Sequence, residues 1–315
     1  MAIKVLLCDG VAKKAVEMLA KAGFANEETK ALPEDDLIAK LKANPVECLV
    51  VRSSTKVTAK VFQSVSGLKL VGRAGVGVDN VDVKAAAAAG VKVMNTPGGN
   101  ANAVVELTLG FMLSLARQVP KADRSMKSGK WEKKAFKGSE LKGKTLGLIG
   151  MGRIGYEVAK RARAFGMSVV GYDPYLDPAK IREVGEQVLS VGEIYKRADY
   201  ISIHTPLTDE TRGMVGEGAF AQMKNGVLII NAARGGILDE KALVKHMKDG
   251  KVAGAALDVY SVEPPDYKEL LEDDRLILTP HIGAATAESQ DTCAEMLSDQ
   301  IIQFFTKNKA VNVVN

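Results

Sequence analysis

The sequence predicts a two-domain α/β protein in which one doubly wound parallel sheet is inserted into another. Three observations point there. Strand-like and helix-like runs alternate along nearly the whole chain of 315 residues. A glycine fingerprint, Gly147-Leu148-Ile149-Gly150-Met151-Gly152-Arg153-Ile154-Gly155, opens a second alternating series in mid-chain. After that series, a final helix and a short apolar run remain with no sheet of their own nearby.

The first series runs from the strand at 3–8 through a helix at 12–22 and a helix at 33–42. A strand at 48–52, a helix at 58–66 and strands at 68–72 and 91–94 follow. The alanine run from Ala85 to Ala89 reads as one short helix. Such alternation specifies a parallel sheet covered on both faces. Pro97-Gly98-Gly99-Asn100 breaks the pattern, and an apolar-striped helix follows over 101–117. Its stripe (Val104, Leu107, Thr108, Phe111, Leu115) fits either a core or a dimer contact. The domain crossings fall near 96–100 and 284–289. This gives a discontinuous domain of residues 1–98 plus 288–315, interrupted by a domain at 99–287. Thr286 to Phe305 reads as the last helix and Val311 to Val314 as a strand.

Composition narrows the function classes. Hydrophobic residues make up 46% and charged residues 26%, as in ordinary globular proteins. No run of roughly 18 apolar residues indicates a membrane span, and the N-terminus reads as a core strand rather than a signal peptide. The three cysteines, Cys8, Cys48 and Cys293, are scattered in apolar contexts. They suit reduced core thiols in the cytoplasm and form no metal motif. A net charge of +5 is modest; no nucleic-acid or membrane partner is expected. The locally basic stretch Lys127 to Lys144 reads as a solvated face, with an anionic substrate as the other option.

The fingerprint carries the first chemistry. Gly150 permits a tight turn, Gly152 lets the backbone approach a pyrophosphate, and Gly155 lets the helix pack closely on the strand. Helix-start amides then favour negative charge. Asp173 closes the next strand about 20 residues on, where an acid accepts from the adenosine ribose diol. In an open parallel sheet, ligands bind beyond the carboxyl ends of the strands. His204-Thr205-Pro206, Asn231 to Gly236, Asp258 and Thr279-Pro280-His281 all follow such ends.

Three residues suit acid/base work on a carboxylated substrate. Arg234 offers a planar fork for a carboxylate. His281 is the candidate of the one residue type that in free solution changes charge near neutral pH. Glu263, in Val262-Glu263-Pro264-Pro265, would orient that ring and favour its protonated form. On the residues alone, alternatives stay open: an ion pair for Arg234, a solvated loop acid for Glu263, a packing role for His281. His204 suits a structural place beside the cofactor, His246 an exposed helix position, and Asp258 either a nicotinamide contact or a turn cap.

These segments, with Val51 to Thr58, Val71 to Asp82, Asn95 to Asn100 and Ala256 to Tyr260, resemble the D-2-hydroxyacid dehydrogenase family, in family order along nearly the whole chain. The resemblance implies a Rossmann-type doubly wound sheet inserted into a second, flavodoxin-like α/β domain. It further implies a cytoplasmic, homodimeric, NAD-dependent oxidoreductase. Its substrate would be a phosphorylated 2-hydroxy acid, 3-phospho-D-glycerate oxidised at the entry to serine synthesis, in a short form without added regulatory domains. Reduction of glyoxylate or hydroxypyruvate is the alternative, and non-catalytic NAD sensing a remote one. By resemblance, Arg234, Glu263 and His281 are catalytic. Gly150, Gly152, Arg153, Ile154, Gly155, Asp173, Thr205, Pro206, Ala232, Asp258 and Gly283 line the cofactor. Arg52, Ser53, Val76, Gly77 and Arg234 meet substrate, and no metal is implied. Two departures stand out. Val76 replaces a threonine of some relatives, leaving only a backbone contact. Lys133 replaces an arginine, keeping the charge but losing the fork. Arg73 is a further candidate for a phosphate.

Overall fold

The computed structural model describes residues 2–315. It divides into two compact units, Met1–Ala101 with Ala284–Asn315, and Asn102–Gly283.

The first unit holds five strands: β1 (Lys4–Leu7), β2 (Ala25–Glu28), β3 (Cys48–Val51), β4 (Leu70–Arg73) and β5 (Lys92–Met94). All pair in parallel, in the order β2-β1-β3-β4-β5, which is the flavodoxin-like order. The inner strand Cys48-Leu49-Val50-Val51 is apolar throughout because both its faces are buried. Leu49 and Val51 enter one core, Cys48 and Val50 the other. The helix Ala287–Lys307 seals the second core with Ala294, Leu297 and Ile301. The three cysteines are free and buried; burial pushes the Cys8 thiol up to about 12.

Two readings of this unit change. Strand β2, Ala-Asn-Glu-Glu, went unread because it lies at the sheet edge with a polar, half-exposed face and carries no apolar alternation. The expected strand at 311–314 is instead a single antiparallel bridge, Met94 to Val313. The Asn315 side chain fastens this tail, accepting from Val93 N and donating to Val91 O.

The second unit holds seven strands: β6 (Thr145–Ile149), β7 (Ser168–Tyr172), β8 (Glu186–Gln187), β9 (Tyr200–Ile203), β10 (Val227–Asn231), β11 (Val252–Leu257) and β12 (Leu276–Leu278). They pair in the order β12-β11-β10-β9-β6-β7-β8. The order reverses between β6 and β9, the switch point of a Rossmann-type sheet. Here too β8, two residues long at the edge, gave no signal, and an unforeseen helix, Val119–Lys127, leads into the basic stretch. The stripe of the helix Ala101–Arg117 faces the core: Val104, Thr108 and Phe111 are buried, with Leu107 and Leu115 packed against the same cluster. The core reading of the stripe accounts for Val104, Thr108 and Phe111.

Register fixes what the sheet presents. Ile149 pairs with both Ile203 and Tyr172. Asn231 pairs with Ile203 and Leu257, and Leu257 with Leu278. Six strand ends thus form one row, roughly 24 Å long at ordinary strand spacing. The next residues along the row are Asp173, Gly150, His204, Ala232, Asp258 and Thr279.

Candidate active site

One half of this row is a cradle defined by missing side chains. Gly150 turns with φ +93°, and a Cβ there would lie 2.8 Å from the carbonyl of His204. The helix Arg153–Ala164 starts at Gly152 with no side-chain cap, and space beyond Gly152 is open. A Cβ on Gly155 would lie 2.1 Å from the Gly150 carbonyl oxygen, so only glycine lets the helix meet the strand here. The Asp173 carboxylate closes the turn, accepting from Met151 N at 2.9 Å and Tyr175 N at 3.0 Å. Thr205 abuts Gly150, and its hydroxyl is buried without a hydrogen-bond partner. Arg153 is exposed, Ile154 packs on the core, and Ala232 is buried. Uncapped amides, open space and an orphaned hydroxyl fit a dinucleotide.

His204 sits between the halves. Its Nε2 meets Ser202 Oγ at 2.9 Å, and its Nδ1 is buried without a partner. Desolvation pulls this imidazole down to about 4, so it is neutral near pH 7 and unfit for acid catalysis there. His246 departs from the reading as an exposed residue. Its side chain is 14% accessible, meets Glu217 at 2.8 Å and stacks on Phe220.

The other half is built from side-chain hydrogen bonds. Asn231, buried at the end of β10, folds the next turn as an Asx motif. It accepts from Ala233 N at 3.1 Å and donates to Arg234 O at 3.0 Å. The Arg234 guanidinium is half-buried, and its Nη1 donates to Ala233 O at 2.7 Å. Asp258, buried at the end of β11, clamps the end of β12. Its oxygens accept from Thr279 Oγ1 at 2.6 Å and from Ile282 N and Gly283 N at 2.7 Å each. Of the two readings left open for Asp258, this geometry displays the turn cap. Between the clamped residues stands His281, in the left-handed region at φ +52°. Its Nδ1 donates to Glu263 Oε2 at 2.8 Å. A carboxylate only accepts, so the pairing places the proton on Nδ1 and leaves Nε2 for another partner. Glu263 Oε1 accepts from Tyr260 N at 3.1 Å. The sheet edge brings together the loops carrying Arg234, Glu263 and His281.

In the first unit, Arg52 and Ser53 follow β3, and Val76 and Gly77 lie just past β4, at the same edge of that sheet. Asp9, itself left-handed at φ +67°, holds the Arg52 turn by accepting from Arg52 N at 2.8 Å and Thr55 N at 3.1 Å. Asn80 donates to Arg52 O and Thr55 O, and Asn95 to Val76 O. Asp9, Asn80, Asn231 and Tyr260 were missed in the sequence. Only the Asn-x-x turn pattern at Asn231 offered a local signal. Lys133 is exposed. Among the described residues no group of His, Cys, Asp or Glu is placed to hold a metal ion, and no helix is long and apolar enough to cross a membrane.

Residues 109–283 match the family described as D-isomer specific 2-hydroxyacid dehydrogenase, NAD binding domain. The D-3-phosphoglycerate dehydrogenase of Rattus norvegicus is 46% identical over 99% of this chain, which spans 58% of that relative's length. A glyoxylate reductase from Paecilomyes thermophila superposes with a TM-score of 0.89 at 31% identity, covering 100% of this chain and 99% of the other. An NAD+-bound 3-phosphoglycerate dehydrogenase from Entamoeba histolytica does so at 0.84 and 31%, with the same coverages. The chain belongs to the D-isomer specific 2-hydroxyacid dehydrogenase family, with NAD as the cofactor of its inserted unit.

Proposed function

We propose that the chain oxidises 3-phospho-D-glycerate to 3-phosphooxypyruvate with NAD, at the entry to serine synthesis. The observation that carries this reading is the His281–Glu263 contact of 2.8 Å on the same sheet edge as the glycine cradle. The substrate follows from the likeness to the rat phosphoglycerate dehydrogenase.

Gly150, Gly152, Arg153, Ile154, Gly155, Asp173, Thr205, Pro206, Ala232 and Gly283 would hold the cofactor, with Asp258 acting through the turn it clamps. NAD, when bound, accepts the hydride from the substrate's C2–H bond. The chain's own part is proton transfer and anchoring. His281 Nε2 takes the C2 hydroxyl proton as the carbonyl forms, and Glu263 stabilises the imidazolium that results. In the reverse direction the imidazolium returns that proton to the carbonyl oxygen. Arg234 receives the adjacent carboxylate. Arg52, Ser53 and the backbone at Val76-Gly77 are the substrate contacts we assign to the first unit. The Asp173 carboxylate repels a 2′-phosphate, so NAD is preferred to NADP. A cytoplasmic homodimer is part of the same reading and rests on the family.

A second reading, reduction of glyoxylate or hydroxypyruvate, is favoured by the likeness to the glyoxylate reductase. Following NADH at 340 nm separates the two. We expect NADH formation with 3-phospho-D-glycerate and NAD; turnover of glyoxylate with none of 3-phospho-D-glycerate would overturn the first reading.

A further inference from the structure

We infer that Tyr260 is a positioning residue that ties Arg234, Glu263 and His281 into one geometry. This rests on the dehydrogenase reading only where activity is concerned. Three separate atoms of Tyr260 reach the three loops. Its amide donates to Glu263 Oε1 at 3.1 Å. Its hydroxyl points at Thr279 O, 2.9 Å away, and at Leu257 O, 3.1 Å away. Thr279 O in turn accepts from His281 N at 3.0 Å, which closes the turn bearing the imidazole. Its carbonyl packs against the Arg234 turn so tightly that a Cβ on Gly235 would lie 1.7 Å from the Tyr260 oxygen.

The side chain is suited to a strut. Tyr260 is 6% exposed and packs in the main core of its sheet, so its two side-chain torsions are fixed by packing. Burial, with Asp258, Glu263 and Glu240 nearby, pushes the phenol up to about 12, and the hydroxyl stays a donor throughout the working range. The residue it steadies needs support. A left-handed histidine is strained and persists only where its surroundings over-determine it. With the hydroxyl gone, the carbonyl of Thr279 loses a donor and the ring is freer to turn from Glu263.

The chain contains three histidines, so ring 15N spectra are readily assigned. In the wild type without substrate or NAD, above the titration range of the ring, we expect His281 as the Nδ1–H tautomer. In Tyr260→Phe we expect a mixture of both tautomers. We also expect kcat for 3-phospho-D-glycerate oxidation to fall about tenfold with KM within about twofold, less than the roughly 10²–10⁴ of a proton-transfer group itself. Tyr195→Phe is the control, since Tyr195 is also buried and its hydroxyl donates to Met214 O at 3.2 Å, away from the row; it should leave the His281 spectrum and kcat unchanged. Gly235→Ala presses on the Tyr260 carbonyl with the hydroxyl intact, and should also disturb the His281 signals. If the His281 spectrum and kcat of Tyr260→Phe match those of Tyr195→Phe, or neither Tyr260→Phe nor Gly235→Ala moves those signals, the strut is rejected. If Tyr260→Phe changes the ring spectrum but the wild type oxidises no 2-hydroxy acid, the strut stands and the proposed activity fails.

Discussion

The two halves of the seven-stranded sheet edge are built by opposite means. At the ends of β6 and β7 the cradle is made by absence: glycines at 150, 152 and 155, and a helix start with no capping side chain. At the ends of β10, β11 and β12 the site is made by additions. Asn231, Asp258, Tyr260 and Glu263 spend their polar atoms on neighbouring loops to hold Arg234 and His281 in place. A phosphate needs backbone amides and room, which a short local motif can encode. Proton transfer needs a ring held at one orientation, which takes contacts between residues far apart in sequence.

The comparison breaks most decisively at His281. Replacing it with alanine is expected to lower turnover by roughly 10²–10⁴, the share of a general acid–base group, while NAD affinity measured by fluorescence titration stays unchanged. Loss of both together would mean that the halves are not separable.

His204 gives the next largest effect, on stability. Its folded value of about 4 lies below the ordinary 6.5. The unfolded chain therefore binds the extra proton between those values. The stability is complete above pH 6.5 and declines as pH falls toward 4, by about 3 kcal/mol across the window. Denaturant melts at pH 7 and pH 4.5 should show a smaller acid loss in His204→Gln than in the wild type. Equal losses would place the ring in water.

Gly155→Ala tests the cradle from the other side. The added methyl meets the Gly150 carbonyl, with an overpacking cost of about 1–3 kcal/mol. Its melting temperature and NAD affinity should both fall, with the His281–Glu263 pairing, read by ring nitrogen shifts, intact. The smallest expected change comes from Glu263→Gln. Without the carboxylate, the imidazolium loses its anionic partner, and the pH optimum for carbonyl reduction should move to lower pH. An unmoved profile would remove Glu263 from the proton pathway.

The same contrast explains what could be read from the letters alone. The α/β class, the long helix at 101–117 and the glycine turn each rest on local signals: alternation, an apolar stripe, three spaced glycines. Strands β2 and β8 escaped because edge strands pair on one side and need no apolar run. The tail at 311–314 reads as a strand by composition, yet only Val313 forms a bridge with β5, and the Asn315 side chain adds hydrogen bonds with Val93 N and Val91 O. Arg234, Glu263 and His281 drew attention by residue type, but residue type alone left bland alternatives open. What assembles their loops is the in-register row of strand ends and the contacts of Tyr260 and Asp258, and both depend on long-range pairing that no local window contains.

The central claim is that one carbonyl group meets a proton from His281 and a hydride from the nicotinamide, with Arg234 on the neighbouring carboxylate. A crystal structure with NAD and 3-phospho-D-glycerate bound tests it most directly. The account predicts His281 Nε2 within about 2.6–3.2 Å of the C2 oxygen and the Arg234 guanidinium on the carboxylate. A substrate seated with its C2 oxygen beyond the reach of His281 would contradict it.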